Sequence, residues 1–247
     1  MKSAIVELKC ITNLHVGNGD VNYNIIDNEV ERDPVTQYPT INSSGVKGSL
    51  RQFFRENGAD QSLIRDIFGS DTSEGKVFPG QVKILAADML AMPGRASAGT
   101  EAYYLMTTPA MLKRYQDIYE MFLNEKIDEK IDENDIQIKS GKVEIEGEKP
   151  RCKVEIGGHT LYRMPDETFR HISLPVMARN KLDDGKSSNL WYEEVVPHES
   201  IFYFPVIADN EKLLERFIEQ LDGHVVQFGG NATIGYGLCK VDVHTKA

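Results

Sequence analysis

The sequence predicts an α+β fold, and three observations predict it. Segments that alternate apolar and polar residues open and close the chain, at Ser3 to Ile11 and at Leu238 to Val243. Two segments between them carry apolar residues at helical spacing, Ser44 to Asn57 and Asp209 to Leu221,. The order is strand then helix at the start, and strand, helix, strand, turn, strand at the end. That order fits a ferredoxin-like (RRM-like) core with long insertions. At 247 residues the chain can bury a full core, so a single domain over 1–247 is expected, with insertions at about 15–42, 123–160 and 174–197,.

Taken in order, Ser3 to Ile11 puts Ala4, Val6 and Leu8 on one side and Ile5, Glu7 and Lys9 on the other, as a strand does,. His15 to Asp20 is a glycine turn. Val21 to Pro39 has neither period and reads as a long loop, which in compact domains is usually functional or disordered. In Ser44 to Asn57 the apolar face is Val46, Leu50, Phe53 and Phe54, with Ser43 or Ser44 as the capping residue,. Gln61 to Phe68 is a short second helix stopped at Gly69, and Ser70 to Gly75 is polar and mobile. Val82 to Met92 is a buried strand ended by Pro93-Gly94-Arg95, and Ala102 to Met106 is another. Pro109 to Asn124 is a helix capped by Thr107 or Thr108, with Met111, Leu112, Tyr115, Ile118, Tyr119 and Phe122 inward,. Leu123 to Pro150 reads as an exposed insertion with a frayed helix and a hairpin. Cys152 to Ile156 alternates and turns at Gly157-Gly158. Leu174 to Asn180 and Leu190 to Val196 flank the polar turn Lys181 to Asn189, which predicts a long hairpin. Ser200 to Ala208 and His224 to Phe228 are further strands.

Composition excludes several classes. Forty per cent apolar residues without a long uncharged run argue for a soluble chain with no membrane span,. The start, Met1 to Glu7, has no apolar signal core. Cys10, Cys152 and Cys239 are far apart and form no CxxC, so reduced thiols and a cytoplasmic location are expected,. A net charge of −10 argues against a generic nucleic-acid binder,. The charge is uneven, however: Leu123 to Pro150 holds nine acids against five lysines, so a local basic channel is compatible with the acidic total,.

The stretch around which the chain is organised is Ile26 to Arg51. A helix start at Ser43-Ser44-Gly45 offers N–H groups and a positive dipole end to a phosphate. Lys47 and Arg51, four residues apart, would share a face; a solvent-facing pair carries equal weight. Asp27 lies on the preceding loop. There it is a candidate metal ligand or general base, although most surface acids do nothing. Asp33, in Arg32-Asp33-Pro34, competes with it and is better explained as a turn former. Gly229 to Gly237 has four glycines with Asn231 and Thr233. It lacks the Lys-Ser/Thr of a nucleotide loop, and a bulged hairpin turn is its simpler reading,. His15 is a proton shuttle or, with more weight, a satisfied structural histidine. His159, His171, His198, His224 and His244 share no metal-ligand spacing, and no GxSxG occurs.

Leu14-His15-Val16-Gly17-Asn18-Gly19, Ile26-Asp27-Asn28, Arg32-Asp33-Pro34, Ser43-Ser44-Gly45-Val46-Lys47-Gly48-Ser49-Leu50-Arg51 and Gly229-Gly230-Asn231-Ala232-Thr233-Ile234-Gly235-Tyr236-Gly237 together resemble the RAMP superfamily of CRISPR-associated proteins. The resemblance returns at Asp88 to Pro109 and Leu174 to Pro205. It is greatest to the repeated backbone subunit of type III-B (Cmr-type) effector complexes. The resemblance implies that Asp27 cuts target RNA with a divalent ion, Mg or Mn, although Asn28-Glu29 departs from the family pattern beside it. It implies guide CRISPR RNA contacts at Ser43, Ser44, Lys47 and Arg51, and RNA packing at Gly229, Gly230, Asn231 and Thr233. It makes 174–197 a thumb β-hairpin, with Met177 and Arg179 wedging and gripping the guide–target duplex. The partners it implies are guide RNA, target RNA, further copies in a filament and other type III subunits. Two alternatives stay open: a non-catalytic structural backbone, and a guide-processing RAMP endoribonuclease.

Overall fold

The first strand is buried on both faces from Ala4 to Leu8, and this sets the layers of the molecule. The computed structural model describes residues 2–19, 25–70, 77–96, 101–132, 152–184 and 186–246. The elements are β1 (Lys2–Cys10), β2 (Thr40–Ile41), α1 (Ser43–Glu56), α2 (Gln61–Phe68), β3 (Val82–Ile84), β4 (Ala87–Arg95), β5 (Tyr103–Thr107), α3 (Pro109–Leu123), β6 (Lys130–Asp132), β7 (Cys152–Ile156), β8 (His159–Arg163), α4 (Asp166–Arg170), β9 (Val176–Asp183), β10 (Lys186–Glu194), β11 (Ile201–Ala208), α5 (Glu211–Leu221), β12 (Val225–Gln227) and β13 (Leu238–Thr245).

One mixed sheet runs β12-β13-β1-β11-β4-β5-β8-β7-β6, with β2 beside β4 and β3 beside β11. In its centre, β13-β1-β11-β4, every neighbour is antiparallel. Ala4, Val6 and Leu8 pack with Leu50, Phe54 and Phe217 from the helices on one face. Ile5 packs on the other face with Leu112, Tyr115 and Tyr203. Phe54 and Phe217 stack with ring centroids 5.6 Å apart, joining α1 to α5. Each such fully buried side chain contributes about 1.5–3 kcal/mol by its removal from water.

Several expectations shift. The residue capping α1 is Asn42, and Ser43 and Ser44 occupy the first turn; β2 ends at Ile41, which moves the helix start one residue earlier. Thr108 caps α3, its hydroxyl accepting from Met111 N at 3.2 Å. The strand expected over Val82 to Met92 is two strands, and the second continues through Pro93 to Arg95. Pro93 is tolerated because pairing with β11 stops at Ala91, so only β5 runs beside it,. The expected turn Lys181 to Asn189 is largely strand: β9 and β10 pair from Val176 to Asp183, and Asp184 turns with φ of 47°. They form a two-stranded sheet apart from the main one. Within the insertion expected over Leu123 to Pro150, Lys130–Asp132 pairs with β7. The rest of the acidic insertion, from residue 133, and most of the expected mobile segment at 70–75 lie outside the described residues. Among the described residues, no helix is long and apolar enough to cross a membrane.

Candidate functional site

The loop that carries Asp27 has no period of its own, and it is shaped by bonds to a strand far along the chain. The N–H groups of Asp27 and Asn28 both donate to the Tyr192 carbonyl, at 3.1 and 3.2 Å. Tyr192 N donates in return to Asp27 Oδ2 at 2.8 Å. Glu194 N donates to the Asn28 carbonyl at 2.9 Å. The carboxylate of Asp27 is therefore exposed yet aimed by the base of β10. Six residues on, Asp33 closes a turn: its Oδ1 accepts from Val35 N, Thr36 N and Thr36 Oγ1 at 3.0, 2.8 and 2.9 Å. Burial pushes the Asp33 carboxyl up, but these hydrogen bonds outweigh it and hold the group below the usual carboxylate range,.

The second part of the site is a pair of adjacent buried carboxylates, Glu193 and Glu194, only 5% and 6% exposed. Glu193 collects three segments. Its oxygens accept from Arg179 Nη1 at 3.2 Å, Trp191 Nε1 at 2.9 Å and Asn231 Nδ2 at 3.0 Å. The Arg179 guanidinium also lies 5.7 Å from the Trp191 ring and 5.6 Å from the Tyr236 ring. Arg179 and Asn231, both expected at RNA, thus meet on one carboxylate at the root of the hairpin. Trp191, which a sheet-edge reading puts in the core, is half-buried. Met177 is exposed on the hairpin.

The glycine-rich loop packs onto the segment that follows β1. A Cβ at Gly229 would collide with the His15 carbonyl oxygen, and Gly230 N donates to that oxygen at 2.8 Å. Only glycine permits this approach, and Gly229 also needs its positive φ of 74°,. Gly229, Gly230 and Thr233 remain exposed. His15 is buried, with Nδ1 2.7 Å from the Glu194 carbonyl, as its structural reading requires.

At the start of α1, Ser43 and Ser44 are exposed and Lys47 half-exposed, and no acid occupies the first turn. Arg51 turns toward α2, where Nη2 donates to the Gly69 carbonyl. With Arg55 and Arg65 it lines a cavity of about 140 Å³. The structure thus joins Asp27, Arg179, Asn231 and the glycine loop through β10 and His15, and sends Arg51 elsewhere. Among the described residues, no three His, Cys, Asp or Glu side chains gather to hold a metal ion. A cleft of about 470 Å³ lined by Asp33, Tyr38, Asp88, Met89 and Arg114 does not include Asp27.

Glu193 and Glu194 escape sequence reasoning because two acids at a strand end look like a solvated edge. The available signal is their position between Trp191-Tyr192 and Val195-Val196, where a strand enters the core.

The chain belongs to the RAMP superfamily, which it matches over residues 7–240. It is 25% identical to the CRISPR system Cmr endoribonuclease Cmr4 of Pyrococcus furiosus, across 98% of this chain and 95% of that one. Among solved structures it shares its fold with a chain of the type III-B Cmr-beta complex bound to cognate target RNA, at a TM-score of 0.76 and 22% identity, covering 98% of this chain and 97% of that one. It also shares it with oligomeric Cmr4 from Pyrococcus furiosus, at a TM-score of 0.67 and 20% identity, covering 100% and 99%.

Proposed function

We propose that the protein is a backbone subunit of a type III-B CRISPR ribonucleoprotein. It binds guide RNA, stacks with further copies and other effector subunits, and cuts complementary target RNA. The β13-β1-β11-β4 order, with α1 and α5 as crossovers, is that of a ferredoxin-like core, and β9–β10 is the thumb,. Family membership and full-length similarity to a Cmr endoribonuclease support the role. A head-to-tail interface that does not close produces such a filament, and the cytoplasm is its place of action.

The observation that carries the mechanism is the exposed Asp27 carboxylate tied to Tyr192 of the thumb stem. An RNA strand crossing the thumb passes beside it. Met177, exposed on the hairpin, wedges a base out of the stack,. The unstacked ribose 2′-oxygen then attacks the adjacent 3′-phosphorus in line, the P–O5′ bond breaks, the departing O5′ takes a proton from water, and the products are a 2′,3′-cyclic phosphate and a 5′-hydroxyl. Asp27 draws the 2′-hydroxyl proton toward its carboxylate. Among the described residues, no group of three His, Cys, Asp or Glu side chains gathers around Asp27 to hold a divalent ion. That fits Mg or Mn held mainly by water and RNA phosphate, where the ion would offset negative charge on the phosphate oxygens. Ser43, Ser44 and Lys47 grip guide phosphates without reading sequence, and Gly229, Gly230 and Thr233 lie against the RNA backbone. Arg51 and Asn231 act from their protein partners, Gly69 and Glu193, and Arg179 grips from its place on Glu193.

Asp27→Ala in the assembled complex tests this. Target cutting is expected to fall by about 10²-fold or more, the scale of a lost acid–base group, while guide RNA stays bound. Full-rate cutting would leave a purely structural backbone.

A further inference from the structure

Val30 seats the Asp27 loop in the core at 3% exposure, whereas Ile25, two residues before Asp27, is 88% exposed. Between the buried anchor and Asp27, the loop is tied to the hairpin by Tyr192 and by Glu194. Glu194 makes the larger set of side-chain bonds. Its Oε2 accepts from Val30 N at 3.1 Å, and its Oε1 from Arg32 Nη2 at 2.6 Å. Its own N–H donates to the Asn28 carbonyl at 2.9 Å, and its carbonyl meets His15 Nδ1 at 2.7 Å. One residue at the foot of the thumb thus grips the loop at three points within five residues of Asp27 and the His15 segment at a fourth. We propose that Glu194 and Arg32 form a positioning pair that fixes the Asp27 loop against the thumb stem, so that the cutting geometry is set jointly by thumb and loop. This rests on the reading of Asp27 as the cutting residue.

The pair acts through placement. Glu194 is 6% exposed and both carboxylate oxygens are engaged, so it does not reach a nucleic-acid strand. Arg32 spends its Nη2 on Glu194, with its side chain 28% exposed. A charge-assisted bond of this kind is short and directional. Misplacement of a reacting group by about 1 Å can cost on the order of 10²-fold in rate.

The test uses the assembled complex with guide and target RNA. Glu194→Gln keeps an acceptor for Val30 N but removes the charge. Arg32→Gln removes the partner at a partly exposed position and so carries the test if the first variant fails to assemble. Each is expected to lower turnover at saturating target by about tenfold or more while target affinity stays within about twofold, the signature of lost positioning rather than lost binding. Exchange of the Asp27 to Val30 amide hydrogens should quicken, and Arg32→Lys should recover part of the loss. Normal turnover in Arg32→Gln, or turnover and affinity falling together, overturns the pair. Asp27→Ala, run in parallel, separates the failures: if it cuts normally, the reading of Asp27 fails instead.

Discussion

The palm and its rim are built from opposite materials. In the palm, β1 and β11 pair from Lys2 to Lys9, and helices cover both faces with side chains such as Phe54, Phe217 and Tyr115 that are fully buried. Its cohesion is removal of apolar surface from water, spread over many residues. In the rim, loop 25–39, the base of the β9–β10 hairpin and the glycine loop meet on a few polar side chains: Glu193, Glu194, Arg32, Arg179 and Asn231. Its cohesion is concentrated in directional bonds, so single polar changes there should alter geometry without melting the protein. The contrast suits the proposed role, in which the protein stacks as a rigid unit and adjusts only where it meets RNA.

Three changes would break or sharpen that contrast. The largest is Phe217→Ala, which leaves a cavity against Phe54 and should cost about 3–5 kcal/mol,. Thermal unfolding should register it as one cooperative shift. Smaller is Glu193→Ala, which strands the Arg179 and Asn231 donors and should cost about 1–3 kcal/mol,. Hydrogen exchange should show that cost at β9, β10 and 229–231, with the palm amides unchanged; protection lost across the palm as well would mean that rim and palm are one unit.

The smallest concerns Asp33. Its folded-state value is held below the ordinary one, so the ionised carboxylate stabilises the turn above the unfolded-state value and that contribution disappears as pH falls through the folded-state value,. Asp33→Asn should therefore cost about 0.5–1.5 kcal/mol near neutral pH. The difference from the parent protein should shrink in acid titration of stability below about pH 4. A gap that is constant with pH would assign the turn to shape rather than charge.

Legibility follows the same division. α1, α3, α5 and β13 stand close to their expected ends because each buries one face, and one-sided burial imprints a period; β1, buried on both faces, is also close to its expected ends,. Strands β9 and β10 run past their expected ends toward the turn because the hairpin is exposed on both faces, so Lys181, Lys186 and Ser187 need no alternation to be strand. The residue type and surroundings of Asp27 do not distinguish a candidate metal ligand from a solvated acid; its proposed cutting role comes from family resemblance. Arg179 was expected at RNA through the same resemblance; that Trp191 and Tyr236 flank it and Glu193 pairs with it could not be read from the sequence.

From the amino-acid order alone came the layered palm, the helix starts to within a residue or two, the glycine turn and the loop that bears Asp27. These are consequences of local geometry and of which side chains avoid water, and both are written in near-neighbour patterns. Tertiary structure alone decided what orients Asp27, because its partners lie more than 160 positions away at Tyr192 and Glu194. A hydrogen bond has no sequence period, and two chain segments brought together by the fold leave no mark on either one until they meet.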